Sequence, residues 1–356
     1  MTTDNMIKNK KREVYLDYLR MFSTFAILLA HTVSLASSLL EEKNAAWITL
    51  ETIHFVSVGC NLIFIMISGA LLLNVHGEKI SKFYQKRFLR VFLPLVVCYV
   101  CYICAANGFV WLHPRNWWSL IKMIFSGAPE EAPHFWLIYV IIWLYVFTPA
   151  IRIFLEHISD FAFKIVLLFI LIVNTLYTFV PQVNGSAIIS KIVSSFIGVF
   201  LLGYFLNKKQ NVWLERILMG CGIVSFFIGV YFIVNVEQYK LYIFNNSPIM
   251  MFFAAAMFLF VKKCCSSKKS FYFMDLVNKH SYTVLLLHWG MLHFLVKQVL
   301  GISVLSGGIW GGCILTFLLT FVFSLIGAIV LDNTIFHWLN HIVTKFFNLF
   351  VKKDKA

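Results

Sequence analysis

The sequence predicts an all-α polytopic membrane protein of about ten transmembrane helices, with both termini cytoplasmic and an amphipathic helix at the C-terminus. Three observations carry this. Of the 356 residues, 60% are hydrophobic and 13% charged, and mean hydropathy is +0.81; a soluble domain runs at roughly half apolar and a quarter charged. Apolar runs recur from end to end, many near the ~20 residues that cross a bilayer as a helix. The 30 Lys and Arg residues are also unevenly placed. With ten spans and the termini inside, all but Lys43, Arg115, Lys122, Lys191, Lys240 and Lys297 fall on the cytoplasmic side. That bias orients membrane proteins. It accounts for the net charge of +14 without a nucleic-acid partner.

Residues 1–356 read as one membrane domain: a polar head 1–17, a transmembrane core 18–331 and a tail 332–356. Helix one covers 18–39, and Asp17, Arg20 and His31 spoil it as a cleavable signal. Helix two covers 47–75 after the outer turn EEKN. Helix three, 88–107, follows the basic stretch HGEKISKFYQKRFLR, which reads as an inner loop. The outer segment WLHPRNWWSLIKMIFSGAPEEAP carries tryptophans and prolines that suit an interfacial or re-entrant piece. Helix four starts near His134 and ends before Arg152, and helices five and six cover 164–180 and 187–206, with PQVNGS between them. Helices seven and eight, 217–234 and 243–261, lie between the inner loops NKKQNVWLER and KKCCSSKK. Helices nine and ten cover 280–300 and 309–331, joined by the outer turn GISVLSGG. The tail alternates apolar and basic residues, the pattern of a helix lying on the inner surface.

Within this frame the organising stretch is Arg20 to His31. Eleven residues of helix turn to within about 20° of three full turns and rise about 16 Å. Arg20 and His31 therefore share a face, one at an interface and the other past the midplane. Ionisable groups inside a span are costly and mark function. A long ligand could be gripped by phosphate at Arg20 and meet a base at His31. A snorkelling arginine with a hydrogen-bonded histidine is the structural alternative.

Arg87 and Arg90, at i and i+3 before helix three and with Lys82 and Lys86 close by, suit phosphate, which guanidinium groups bind through two parallel hydrogen bonds. With Arg20 at the same depth, they read as a polyphosphate clamp at the cytoplasmic mouth. His31, His54, His134 and His288, with His293 deeper, outline a polar cavity in the outer half of the membrane. Glu51, Glu130 and Glu131 are the carboxylates that could orient a histidine, and the sequence does not choose among them. Gly69, beside Ser68, reads as a site of close helix approach. The helical spacing of Cys98, Cys101 and Cys104 reads as small apolar packing, so no metal is expected. GxSxG, HExxH, P-loop and dinucleotide-binding fingerprints are absent.

The order of these features resembles the bacterial membrane acyltransferase-3 family, which includes O-acetyltransferases of surface polysaccharides. Its Arg-x10-His matches Arg20 and His31, and its Phe-rich run ending in Ser-Gly matches NLIFIMISGALLL, with Ser68 and Gly69. Its Arg-x-x-Arg matches Arg87 and Arg90, and HFWLIYVIIWLYVFTP matches through His134, Trp136, Tyr139, Tyr145 and Pro149. In SYTVLLLH, Ser281 and His288 match, but Leu285 stands where the family commonly has tyrosine. The resemblance implies an integral membrane O-acyltransferase of the stand-alone type, without a fused esterase-like domain, in the bacterial inner (plasma) membrane. The donor would be acyl-CoA, most simply acetyl-CoA, with its phosphates on Arg20, Arg87 and Arg90 and Ser68 beside it. His31 would be the base, or would carry the acyl group. The acceptor would be a hydroxyl of a surface or lipid-linked saccharide, with His54, His134, Trp136, Glu51 and His288 as candidate contacts. Membrane lipids are the other partner. The competing class is a transporter or flippase of an anionic lipid-linked glycan, which the same cationic mouth and mid-depth polar residues would also suit.

Overall fold

The computed structural model describes residues 12–75, 77–184 and 187–353. Most of the polar head, Gly185–Ser186 of the PQVNGS turn and the last three residues of the tail lie outside the described residues. No strand occurs among those described. The helices are α1 (Val14–Ser37), α2 (Ala45–Leu72), α3 (Ile80–Arg87), α4 (Leu93–Asn107), α5 (Trp117–Ser126), α6 (Trp136–His157) and α7 (Asp160–Phe179). They continue as α8 (Ala187–Ser194), α9 (Ile197–Asn207), α10 (Val212–Asn235), α11 (Pro248–Cys265), α12 (Tyr272–Gly290), α13 (Ile309–Asn333) and α14 (Ile335–Lys353). Among the described residues eight helices are long and apolar enough to cross a membrane, so the chain is an all-α polytopic membrane protein. In apolar surroundings only helices and closed barrels satisfy the backbone internally. Helix starts carry the expected caps: Asn44, Ser159, Asn211 and Ser247 each accept a backbone N–H of the first turn.

Several boundaries differ from the sequence reading. The basic stretch before helix three is itself helical from Ile80, because KFYQKR holds good helix formers and no Gly or Pro. It joins α4 through a π turn, Phe88–Phe92. Helix four does not stop before Arg152 but passes Pro149 and runs to His157. The expected sixth span is two short helices, α8 and α9, broken where Phe196 takes a left-handed backbone (φ 55°). The eighth begins at Pro248, after a separate turn Lys240–Ile243. The ninth begins eight residues early, at Tyr272, and passes at Gly290 into a π segment, Met291–Val299. The tail is helical to Lys353, after a break at Thr334. The tryptophan-bearing segment, read from the sequence as outer, contains α5, with Trp117, Trp118, Ile121 and Phe125 exposed and Leu120 and Ile124 buried.

Contacts divide the chain into two compact units, Met1–Glu78 with Trp143–Asn278, and Lys79–Ile142 with Lys279–Ala356. In the first, α2 packs on α1 and α9. A Cβ on Gly69 would lie 1.9 Å from the Phe200 carbonyl oxygen, and one on Gly203 would lie 2.1 Å from that of Met66. Backbone meets backbone at this crossing, as small residues permit, so Gly69 has the packing role read from the sequence. Arg152 holds the C-terminal end of α2 by donating Nε–H to the Leu72 carbonyl at 2.9 Å and pairing with Glu78.

In the second unit two tyrosines repair the π irregularities. The Gly290 N–H donates to the Tyr102 hydroxyl at 2.7 Å, and that hydroxyl lies 3.0 Å from the Leu286 carbonyl it donates to. The phenol thus replaces the i→i−4 bond lost where α12 widens. Reciprocally, Tyr282 of α12 donates to the Val91 carbonyl, inside the π turn that precedes α4. In the middle of α12, Asp332 of α13 accepts from Thr283 and pairs with His280.

Two outcomes are expected. Gly69→Ala and Gly203→Ala force the α2–α9 crossing apart, costing about 1–3 kcal/mol, the usual range for overpacking. They should lower the melting temperature in detergent, while Gly220→Ala, with open space at its Cβ, should not. The charge bias predicts Glu130 outside and Lys268 inside. In a background without the native cysteines, an impermeant thiol reagent applied to intact cells should modify Glu130→Cys and spare Lys268→Cys. The reverse pattern would overturn the orientation.

Candidate functional site

Helix α1 is unbroken from Val14 to Ser37. Arg20 and His31 are therefore fixed three turns apart on one face, about 16 Å along the axis. Arg20 is 27% exposed and lies 4.0 Å from Asp17. That is a charge contact beyond hydrogen-bonding distance. Asp17 is meanwhile engaged by Arg12, which also bonds Asp275, and these two carboxylates raise the Arg12 pKa. Asn278 donates to the Asp17 carbonyl at 2.9 Å. Among the described residues the Arg20 guanidinium makes no hydrogen bond, which leaves five N–H donors for a ligand. Tyr145 lies within electrostatic reach of it.

At the far end of α1 the centre is Glu51, 1% exposed. Its Oε1 accepts from Ser37 Oγ at 2.6 Å, and its Oε2 accepts from the Tyr239 hydroxyl at 2.6 Å. His54 Nδ1 lies 3.3 Å away and Lys240 Nζ 3.9 Å. One carboxylate thus ties together α1, α2 and the turn after α10. Of the three carboxylates open to a histidine, Glu51 takes His54. Glu131 instead accepts from Asn107 at 2.8 Å, and Glu130 is exposed. The sequence does not mark Tyr239, 188 residues from Glu51, nor Ser37, 14 residues away on the neighbouring helix, because nothing local signals either pairing. The outlying cation Lys240 was the one hint. Ser68, also in this unit, donates back to the Phe64 carbonyl at 3.2 Å.

In the second unit Arg87 ends α3 and lies over the Phe83 ring at 5.1 Å. Arg90 lies within the π turn and is exposed. The two do not precede the helix, as the sequence reading had it, but lie within the first half of a helical run from Ile80 to Asn107. His134 and His288 do come together, with ring centroids 4.8 Å apart and Trp289 stacked on His134. Each ring faces a carbonyl, His134 Nε2 that of Leu286 and His288 Nδ1 that of Leu285. A carbonyl only accepts, so those nitrogens carry the protons and fix the tautomers. His293 packs on Trp289 at 4.1 Å, and Trp136 is half-buried at the first residue of α6. Among the described residues no three His, Cys, Asp or Glu side chains group as metal ligands. Cys98, Cys101 and Cys104 are unbridged.

The family model described as an acyltransferase domain matches residues 13–332. No curated protein and no solved structure matches. The match runs from the start of α1 to the end of α13, and so takes in the Arg20–His31 face, the Glu51 cluster, the Arg87–Arg90 pair and the paired histidines. The chain belongs to the membrane acyltransferase-3 family.

Proposed function

We propose that this membrane acyltransferase moves an acyl group, most simply acetyl, from acyl-CoA to a hydroxyl of a surface or lipid-linked saccharide. It would do so in the bacterial inner membrane, taking the donor from the cytoplasm. The observation that carries the reading is Arg20: a sheltered guanidinium without a hydrogen bond among the described residues, three turns below His31 on a rigid helix. A donor with phosphates at one end and a thioester at the end of a long arm fits that separation. Arg87 and Arg90 would each add charge-assisted bonds to phosphate.

His31 would accept the proton of the acceptor hydroxyl as its oxygen attacks the thioester carbonyl. The carbon–sulfur bond then breaks, and the proton passes from the imidazolium to the departing thiolate. A histidine suits this because its ordinary pKa lies near working pH. Membership of an acyltransferase family favours this chemistry over a transporter that performs none.

The test uses detergent-purified protein with acetyl-CoA and the surface polysaccharide of the producing cells, stripped of esters by mild alkali. Transfer is followed as free CoA thiol, and donor affinity by calorimetry. His31→Ala should abolish transfer with donor binding retained. Arg90→Ala should weaken donor binding about tenfold to a hundredfold, since a hydrogen bond to a charged group contributes roughly 1.5–3 kcal/mol. Arg87→Lys should also be impaired, because lysine keeps the charge and loses the fork. Normal turnover by His31→Ala, or no thioester consumption by the parent, would leave the transporter reading in its place.

A further inference from the structure

The first unit holds a cavity of about 820 Å³ above Glu51, at the end of α1 remote from Arg20. That is within the roughly 300–1,000 Å³ of small-molecule sites. Its wall includes Ser34 and Ser38 of α1, Glu42 and Lys43 of the turn before α2, and Gln238 and Lys240 of the turn after α10. The other two cavities described in this unit are lined almost wholly by Leu, Ile, Phe, Met, Ala and Gly. Ser34 stands three residues beyond His31, one helical turn along the same face, about 4.5 Å in rise. One wall residue of the cavity therefore stands a single turn from the proposed base.

Two features mark it as built to hold something. The first is backbone strain. Lys43 (φ 66°) and Gln238 (φ 53°) are two of the four non-glycine residues with left-handed backbone among those described, and both stand on its rim. Such strain collects where side chains must be aimed. The second is the tether. The turn carrying Gln238 is pinned from below by the Tyr239–Glu51 bond, and Lys240 is drawn over the Tyr239 ring toward the same carboxylate. The rim is thereby fixed to the floor.

The chemistry of the wall selects the ligand. Glu42 and Glu237 offset Lys43 and Lys240, and Glu51 adds a further negative charge beneath. A phosphate would meet three carboxylates against two ammonium groups, so a strongly anionic ligand is disfavoured. Carboxylates, serines and a primary amide instead match a neutral molecule with many hydroxyls, which both donates and accepts. Trp47, Ile233 and Val236 supply apolar surface for its C–H faces. We infer that the cavity floored by Glu51 and rimmed by Lys43, Gln238 and Lys240 binds the saccharide acceptor and presents its hydroxyl to His31. The assignment of His31 rests on the acyl-transfer reading above; the binding of saccharide does not.

Two measurements on the purified full chain separate the cavity from the chemistry. In the first, Glu42→Cys is reacted with a charged methanethiosulfonate, with and without the de-esterified polysaccharide, and its labelling is read against the native cysteines of the parent. The polysaccharide should slow labelling at position 42 at least fivefold, whether or not thioester is consumed. Unchanged labelling overturns the inference. In the second, Glu237→Gln and Gln238→Ala should raise the polysaccharide concentration for half-maximal transfer at least tenfold, with calorimetric affinity for acetyl-CoA unchanged. Half-saturation equal to the parent's overturns it. Protection at position 42 without any thioester consumption would leave the saccharide site standing and remove the acyl-transfer reading alone.

Discussion

The structure depends on one constraint: in hydrocarbon, every backbone donor and acceptor must find its partner within the chain. Straight helices meet it automatically, and the departures show how much the fold spends on meeting it elsewhere. Where α12 widens at Gly290, the Tyr102 hydroxyl takes the freed N–H and returns a proton to the Leu286 carbonyl. Where α9 ends, the Lys262 ammonium gathers the carbonyls of Leu206, Asn207 and Lys208 at 2.6, 3.2 and 3.0 Å. Where α2 ends, Arg152 reaches the Leu72 carbonyl. Two of these caps are cations at helix C-termini, where the macrodipole also favours positive charge.

That constraint explains what was legible in the sequence. Runs of about twenty apolar residues can hardly be anything but helix in lipid, so the all-α membrane class was readable from composition, although the expected sixth span is two short helices. Arg20 and His31 were readable as a pair because both lie on one uninterrupted helix, whose period fixes their relation. Gly69 was readable because a small residue in a span has few uses besides close approach, and the Phe200 carbonyl occupies the space its Cβ would need.

What was not legible depended on partners distant in sequence. Charge made 80–87 look like a loop, although its residues favour helix and Phe83 is buried. Pro149 looked like a stop, but proline removes only one donor and the helix carries on past it to Arg152, whose partners are Leu72 and Glu78. The break at Phe196 has no glycine or proline to announce it. Glu51 was one of three equivalent carboxylates until Ser37 and Tyr239 were seen to enclose it. Local propensity has no access to a bond that joins residues 51 and 239.

The same bookkeeping of partners separates the arginines. Arg152 is consumed by a carbonyl and a carboxylate, and Arg12 by two carboxylates. Both are accounted for as structure. Arg20 differs because its anionic neighbour among the described residues, Asp17, is already engaged by Arg12 and stands 4.0 Å away. A guanidinium within a span that makes no hydrogen bond among the described residues is costly. The cost is rational if the missing partner arrives from outside the chain, as an anion whose oxygens complete the hydrogen bonds that Asp17 is held back from making. Arg12 then has a second effect beyond its own pairing: by holding Asp17, it keeps that carboxylate from closing on Arg20 and competing with the anion.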